Sequence, residues 1–238
     1  MFIGIGMPIP DLANLPGVSR PGKPGGGGSF EYTAIDNNFS MEFDGVNDSI
    51  IAGTTSLGIT SAISVSCWIK TTNTSASFRS LVAEDTTSGS NRNWNLLLNS
   101  GNKIGFIFFN TSGSTNYLVR STALEVQDGN WHHVVATFDG TSNADGIKTY
   151  VDGGNVETLT ALSTGIRSVA SVDTRIGSNS NGSWNFTGKL DEVAIWSTAL
   201  SEETIKAIYD TTANNPGKVA DLSETPEGQP TAWYRMGD

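Results

Sequence analysis

The segment LDEV contains two adjacent carboxylates, Asp191 and Glu192, and paired carboxylates can act as glycosidase catalysts or as calcium ligands. Glycoside hydrolysis needs two carboxyl groups that flank the same bond. Neighbours on a regular strand point to opposite faces, so Asp191 and Glu192 would not share a substrate. The sequence also lacks Glu-x-Asp-x-Glu and Gly-x-Ser-x-Gly motifs. We therefore predict that the protein is not an enzyme, with a diverged glycoside hydrolase as an alternative.

The turn FDGVNDS brings together side chains that carry oxygen ligands, including Asp44 and Asn47. Carboxylate and amide oxygens are the hard ligands that Ca²⁺ prefers, and backbone carbonyls of glycine-rich turns could complete the coordination. We predict Asp44 and Asn47 as ligands of a structural calcium ion. The alternative is that the two side chains only shape an Asx turn.

Carbohydrate binding needs an exposed aromatic ring beside polar groups, because a sugar presents both C–H faces and hydroxyls. Trp184 in SNSNGSWNF and Trp94 in SNRNWN are flanked by asparagine and serine. We predict Trp184 as the main stacking surface, with Asn179 and Asn181 beside it, and Trp94 as a second surface. Three other tryptophans lie in regular strand patterns and are expected to pack in the core or on a sheet face: Trp68, Trp131 and Trp196.

The composition disfavours several other chemistries. The chain of 238 residues has a formal net charge of -10 and a pI of about 4.6, which would repel a nucleic-acid backbone. Cys67 is the only cysteine, so one chain cannot form a disulfide or a thiolate cluster. His132 and His133 are strand neighbours and are not expected to hold one metal together. No segment reaches the roughly 18 apolar residues of a membrane-spanning helix, so no membrane insertion is predicted.

Alternating hydrophobic patterns predict an all-β fold. WNLLL and IGFIFF, separated by NSGNK, predict a hairpin, and short strands follow in WHHVVATF, IKTYVDGG, TRIGS and GKLDEVAIW. Recurring turns between short strands favour an antiparallel sandwich over βαβ units. Two segments show apolar residues at every second position: Phe39, Met41 and Phe43 in FSMEF, and Ile63, Val65, Cys67 and Ile69 in AISVSCWIK.

One short helix is predicted after the last long strand. Ser201 is expected to cap its N-terminus, and NNPG at 214–217 is expected to end it. An apolar stripe of the helix would face the sandwich: Ile205, Ile208 and Tyr209. The final segment TAWYRMGD alternates again and predicts a closing strand, which could return beside the first strand.

Residues 1–29 differ from the rest of the chain and are predicted to form an extended N-terminal arm before a domain at 30–238. Prolines at short intervals and the four glycines of 25–28 disfavour regular strands and indicate a flexible joint. The tip MFIGIGM is apolar, and exposed apolar segments mark sites of association. We predict that four residues anchor the arm on another protein or a sister subunit: Phe2, Ile3, Ile5 and Met7.

The strand motifs occur in the order MEFDGVNDSI, ISVSCWIKT, WHHVVATFDG, KTYVDG, TRIGS and FTGKLDEVAIW. This series resembles a concanavalin A-like jelly roll of the laminin G type, over about residues 38 to 210. The resemblance implies an antiparallel two-sheet jelly-roll sandwich, a fold that hosts lectins, adhesins, enzymes and structural modules. It also implies that Asp191 can approach the turn at 44–48, which adds Asp191 to the predicted calcium ligands.

The arm and the terminal AWYRMGD together resemble features of virion proteins from tailed phages of marine bacteria. In those proteins such jelly rolls serve as fibre, spike or capsid-surface modules. The resemblance implies a homo-oligomeric virion protein, made in the host cytoplasm, that joins other virion proteins through its arm and adheres to host glycans. The alternative is a calcium-dependent carbohydrate-binding domain of a cellular adhesin.

Overall fold

The computed structural model describes residues 30–86, 92–109, 116–121, 126–141, 146–155, 157–159 and 172–237. The predicted anchoring residues lie outside the described residues: Phe2, Ile3, Ile5 and Met7. Across the described ranges, no helix is both long enough and apolar enough to span a membrane.

Short strands dominate the described part of the chain, as the alternating patterns predict. The strands are β1 (Ala34–Asp36), β2 (Met41–Asp44), β3 (Ile50–Gly53), β4 (Ile63–Lys70), β5 (Arg79–Asp85), β6 (Arg92–Leu98), β7 (Ile104–Phe109), β8 (Asn116–Ser121), β9 (Trp131–Phe138), β10 (Ile147–Val151), β11 (Gly154–Asn155), β12 (Glu157–Leu159), β13 (Thr174–Ile176), β14 (Thr187–Trp196), β15 (Lys218–Ala220) and β16 (Ala232–Tyr234). Helix α1 (Glu202–Asn214) follows β14, and a 3-10 turn (Leu222–Glu224) follows β15.

Most of the strands form two antiparallel sheets that pack face to face. The helix-side sheet has the order β11-β10-β9-β4-β14, with β2 and β16 on the free edge of β14. The opposite sheet has the order β12-β8-β7-β6-β5-β13-β3, and β1 pairs with β15 in a separate two-stranded sheet. The antiparallel sandwich with one helix is confirmed and is consistent with a jelly roll. The hairpin of β6 and β7 is confirmed as well.

The alternation in β4 places its apolar residues between the two sheets, where the main core lies. Those core residues are Ile63, Val65, Cys67 and Ile69, all fully buried. The opposite face of β4, which carries Ser66 and Trp68, is also buried, because the segment around α1 covers it. In FSMEF the alternation is predictive for Phe43, which joins the core, while Phe39 and Met41 are exposed.

Helix α1 covers the outer face of the helix-side sheet, and its predicted cap is confirmed. The Thr204 backbone N–H donates to the Ser201 Oγ at 3.2 Å, which satisfies a group that the first helical turn leaves unpaired. Ile205 and Ile208 pack with Trp196 in a second apolar cluster. The helix is therefore held against β14, and it forms one wall of the cleft described below.

The predicted closing strand forms as β16, but it does not pair with the predicted first strand FSMEF, which forms β2. Strand β16 pairs with 193–195 of β14, and β2 pairs with 187–190 of the same strand. The two short strands therefore lie end to end along one edge of β14. Strand β1 pairs instead with β15.

Candidate functional site

A cleft of about 440 Å³ opens on the outer face of the helix-side sheet, beside the C-terminal half of α1. The sheet supplies its floor, and the segments before β2 and around β15 supply its rim. The lining residues are Asn37, Asn38, Phe39, Ser40, Trp68, Trp131, Asp191, Tyr209, Thr212, Ala213, Gly217, Lys218 and Val219. Aromatic, amide and carboxylate groups therefore face one concave surface.

The aromatic part of the cleft is built on the pairing of β4 with β9. Trp68 lies opposite His133 in this pair, and their rings stack with centroids 5.2 Å apart. The Trp68 ring also stacks on Tyr209 of α1, at 6.0 Å between centroids. At the start of β9, Trp131 keeps 37% of its surface exposed, and Phe39 on the rim keeps 60%. The cleft therefore combines a fixed aromatic wall with accessible ring faces.

The polar part of the cleft centres on Asp191 and Asn37. The Asn37 Nδ2 donates to the Asp191 Oδ2 at 2.9 Å, and the Glu192 backbone N–H donates to the Asp191 Oδ1 at 2.8 Å. The Asn37 Oδ1 is buried and accepts no hydrogen bond from the described residues. The carboxylate is thus held in one orientation, and an amide acceptor lies beside it.

A β-bulge in β14 sets the direction of the two adjacent carboxylates. The pairing of β14 with β4 shifts register between Asp191 and Ala194, and Glu192 has φ +49°. The extra residue lets both Asp191 and Glu192 face the helix side, while Leu190 and Val193 face the core. The prediction that the two carboxylates point to opposite faces is therefore wrong.

Glu192 lies beneath the cleft surface and does not line it. The Trp233 indole Nε1 donates to its Oε2 at 2.7 Å, and the Arg235 Nε donates to its Oε1 at 3.2 Å. The side chain is nearly inaccessible, and burial raises the pKa of the Glu192 carboxyl to about 7 against the opposing effect of the Trp233 hydrogen bond. Its two oxygens are occupied by protein donors, so Glu192 and Asp191 do not form an accessible catalytic pair.

The two histidines differ in their surroundings. His133 is buried under α1 and its Nε2 is 2.8 Å from the Ser66 Oγ, and burial lowers the pKa of this imidazole to about 3. The ring nitrogens of His132 lie 2.7 Å from the Asp152 Oδ2 and 3.1 Å from the Asp128 Oδ1. Burial alone would lower the pKa of His132, but these two carboxylates together raise it. His133 therefore supports Trp68 from below as a neutral ring.

The predicted calcium ligands do not come together. Asp44 pairs with Thr187 of β14, and Asp191 lies four residues further along the strand, roughly 13 Å away at the usual rise per residue. The prediction that Asp191 approaches Asp44 is therefore wrong. The Asp44 Oδ1 accepts the backbone N–H of Val46 at 2.7 Å and that of Asn47 at 3.4 Å, which is the Asx-turn arrangement. Among the described residues, no three His, Cys, Asp or Glu side chains are placed to hold a metal.

The predicted sugar-binding residues divide into buried and accessible positions. Trp94 is fully buried in the main core, so the prediction that its ring forms an exposed stacking surface is wrong. Trp184 is half-buried with φ +56°, and its ring lies 5.0 Å from that of Phe78 on the outer face of the opposite sheet. Asn181 is exposed beside it, whereas Asn179 is buried and accepts the Ser183 backbone N–H at 2.8 Å. Trp184 therefore lies on the other face of the sandwich from the cleft.

The two-sheet antiparallel sandwich with one packed helix is a lectin-like fold. The model of the Concanavalin A-like lectin/glucanases superfamily matches residues 44–206, which is more than half of the chain, and the chain belongs to this superfamily. A search of curated proteins gives no match.

Solved structures of low sequence identity share this fold. The chain is similar to a candidate carbohydrate-binding protein from Bacteroides ovatus, with a TM-score of 0.53 and 18% identity over 88% of this chain and 53% of that one. It is similar to a heptameric SAP-like pentraxin from Limulus polyphemus, with a TM-score of 0.52 and 14% identity over 82% and 90% of the two chains. It is also similar to the CBM40 of a Ruminococcus gnavus IT-sialidase bound to α2,3-sialyllactose, with a TM-score of 0.52 and 15% identity over 72% and 96%. The chain thus spans about half of the Bacteroides ovatus protein.

Proposed function

We propose that this chain is a non-enzymatic carbohydrate-binding module and that the sugar binds in the cleft beside α1. The observation that carries the proposal is the meeting of exposed aromatic rings with amide and carboxylate groups in one cavity. The exposed rings of Trp131 and Phe39 suit the C–H face of a pyranose, while Asp191 and Asn37 suit its hydroxyls. The lectin-like fold and the carbohydrate-binding names of two similar structures support this assignment.

The absence of catalysis is part of the proposal. Hydrolysis of a glycoside would need two carboxyl groups on either side of the bound sugar. Asp191 lines the cleft, but its neighbour Glu192 is held below by Trp233 and Arg235. Binding without turnover is the function that this arrangement supports.

The module is further proposed to be part of a phage virion. We infer, from the resemblance of the arm and the terminal AWYRMGD to virion proteins, that the protein is a homo-oligomeric virion component of a tailed phage, on the capsid surface or a tail fibre. The arm would join other virion proteins, and the cleft would touch glycans of the host. A cellular adhesin remains the alternative, and calcium dependence is the property that distinguishes it.

Replacing Trp131 by alanine is expected to weaken sugar binding about tenfold or more, because an exposed stacking surface is lost without opening the core. The matched control is Trp184→Ala, which removes the same side chain from the other face of the sandwich. Binding of both variants and of the wild-type protein would be measured on a glycan array and then by calorimetry. Parallel runs with calcium and with EDTA test the adhesin alternative.

The control decides which face binds. If Trp131→Ala loses sugar binding and Trp184→Ala retains it, the result supports the cleft as the binding site. The reverse pattern would place the site at Trp184 and Asn181. If no sugar binds to the wild-type protein or to either variant, the carbohydrate proposal is rejected.

Charged substitutions in the arm are expected to reduce self-association of the full chain. Aspartate at Ile3 and Ile5 would oppose burial of the apolar tip in any interface. Size-exclusion chromatography with light scattering would measure the mass of the full-length variant beside the wild-type protein. A Lys23→Asp variant, which changes charge in the same arm outside the tip, is the control. Equal masses for all three proteins would remove the support for anchoring through the tip.

A further inference from the structure

We propose that the cleft prefers amino sugars over acidic sugars, and that Asp191 is the residue that sets this preference. The inference rests on the proposed function, because it names the ligand class of the same site. An amino sugar here means a pyranose with a free, protonated amino group. The neutral parent sugar would bind with intermediate affinity.

The first support is the arrangement of hydrogen-bond acceptors. The Asp191 carboxylate lines the cleft, and its orientation is fixed by the donors Asn37 Nδ2 and Glu192 N. A carboxylate oxygen has two lone pairs, so each Asp191 oxygen can accept from the ligand as well. The Asn37 Oδ1 lies beside it, buried and without a hydrogen-bond donor among the described residues. A ligand group that only donates, such as an ammonium, matches this surface.

The second support is the placement of the cations. Lys218 is the one Lys or Arg among the described lining residues, and its Nζ lies 2.8 Å from the Asp36 carboxylate. The nearby Arg235 donates to the carboxylate of Glu192 and to the backbone carbonyl of Asp36. Both basic groups already contact acceptors of the protein, and the described lining residues include no guanidinium for bidentate pairing with a sugar carboxylate. The formal net charge of -10 adds a long-range repulsion of anions.

The third support is the aromatic lining. The face of an aromatic ring carries negative potential and attracts a cation placed over it. Trp131 and Phe39 expose ring surface at the rim of the cleft. A protonated amino group between these rings and Asp191 would be stabilised by both. An acidic group in the same position would be repelled by both.

The likeness to a module bound to α2,3-sialyllactose concerns the fold, because the identity is 15%. Sialyllactose carries a carboxylate, which is the charge that this cleft disfavours. The charge of the cleft therefore predicts a different ligand from the one in that structure. α2,3-Sialyllactose with its parent lactose is accordingly a useful acidic and neutral pair in the test.

The test compares sugars that share a backbone and differ in charge. Sets built on glucose and on galactose would each contain the amino, neutral and uronic acid forms of one oligosaccharide, with lactose and α2,3-sialyllactose added. Calorimetry with the full-length protein at about pH 6 keeps the amino groups protonated and the uronic acids ionised. The variant is Asp191→Asn, which removes the charge but keeps the size and an acceptor oxygen. Thermal unfolding of the variant reports whether it folds.

We expect the amino form to bind about tenfold more tightly than the neutral form, and the acidic form more weakly than either. Added salt should reduce this preference, because it screens the charge. Asp191→Asn should bring the amino and neutral forms to within about twofold of each other. If Asp191→Asn does not fold, the salt dependence of the preference in the wild-type protein tests whether charge sets it.

Two results would overturn the inference alone. One is Trp131-dependent binding in which acidic forms bind as tightly as amino forms. The other is an amino preference that neither salt nor Asp191→Asn changes. Failure of every sugar to bind would instead overturn the proposed function together with this inference.

Discussion

The Glu192→Gln protein is expected to lose a large part of the pH dependence of stability that the wild-type protein shows between about pH 4.5 and 7. In the folded protein burial raises the pKa of Glu192 to about 7, from its ordinary value of 4.5. Between these two values the folded state holds a proton that the unfolded state releases. The free energy of unfolding therefore falls as the pH rises through this window, because the buried carboxyl must ionise.

The size of the effect follows from the shift in pKa. A shift of this size corresponds to about 3 kcal/mol, at 1.36 kcal/mol per unit. Glu192 is 3% exposed, so solvent screens the charge little. Glutamine keeps the shape and one acceptor oxygen for Trp233 or Arg235 but cannot ionise. The difference in unfolding free energy between variant and wild type should thus change by about 3 kcal/mol from pH 4.5 to 8, in favour of the variant at the higher pH.

The difference in unfolding free energy between Glu192→Gln and the wild type separates the contribution of Glu192 from that of the histidines. The raised pKa of His132 also lowers stability as the pH rises, whereas the lowered pKa of His133 lowers stability as the pH falls below its ordinary range. Both contributions are the same in the variant and cancel in the difference. Urea unfolding at a series of pH values is the measurement, with Glu42→Gln on the exposed face of β2 as the control. Parallel curves for Glu192→Gln and the wild type would show that Glu192 is not buried as described.

Local sequence patterns were sufficient to predict the elements that build the walls of the site. The alternation of Ile63, Val65 and Ile69 identifies a core strand because the side-chain period of a strand is two. The Ser201 cap identifies the start of α1 because a hydroxyl can satisfy a backbone N–H there. Both signals depend on residues close in sequence. They can therefore be recognised without knowing which distant segments pack against them.

The bulge in β14 left a sequence signal that a strict period of two overlooks. Leu190, Val193 and Ile195 all face the core, although the first two are separated by three positions and not by two. That spacing requires one extra residue on the outer face. The signal predicts that Asp191 and Glu192 share a face, which is what the structure has. Reading the spacing of the apolar residues would have found it.

The cleft itself could not be predicted in this way, because its residues come from distant segments of the chain. Asn37, Trp131 and Tyr209 meet only after β1, β9 and α1 have packed. Polar neighbours were misleading for Trp94, since Asn93 and Asn95 are themselves buried. They donate hydrogen bonds to Glu84 and to Ser80, respectively. A polar flank therefore does not establish that a tryptophan is exposed.

Replacing Gly188 by alanine is expected to destabilise the protein by about 3 to 5 kcal/mol, through backbone strain and overpacking together. Gly188 has φ +136°, a conformation that side-chain-bearing residues rarely adopt. An added Cβ would lie 2.4 Å from the backbone carbonyl oxygen of Lys70 and 3.0 Å from the Thr71 Cβ. Lys70 belongs to β4, which pairs with β14, so relief would require separating two central strands.

The matched control is Gly182→Ala, because Gly182 also has a positive φ, of +72°, but no atom lies within 4 Å of its added Cβ. The free energy of unfolding of that variant should fall by about 1 kcal/mol, from the left-handed backbone conformation alone. Urea unfolding at one pH compares the two. Equal decreases in unfolding free energy for the two variants would mean that β4 does not approach Gly188 this closely. A much larger loss at Gly188 would support the close pairing of β14 with β4, and this pairing positions Asp191 and Trp68 in the cleft.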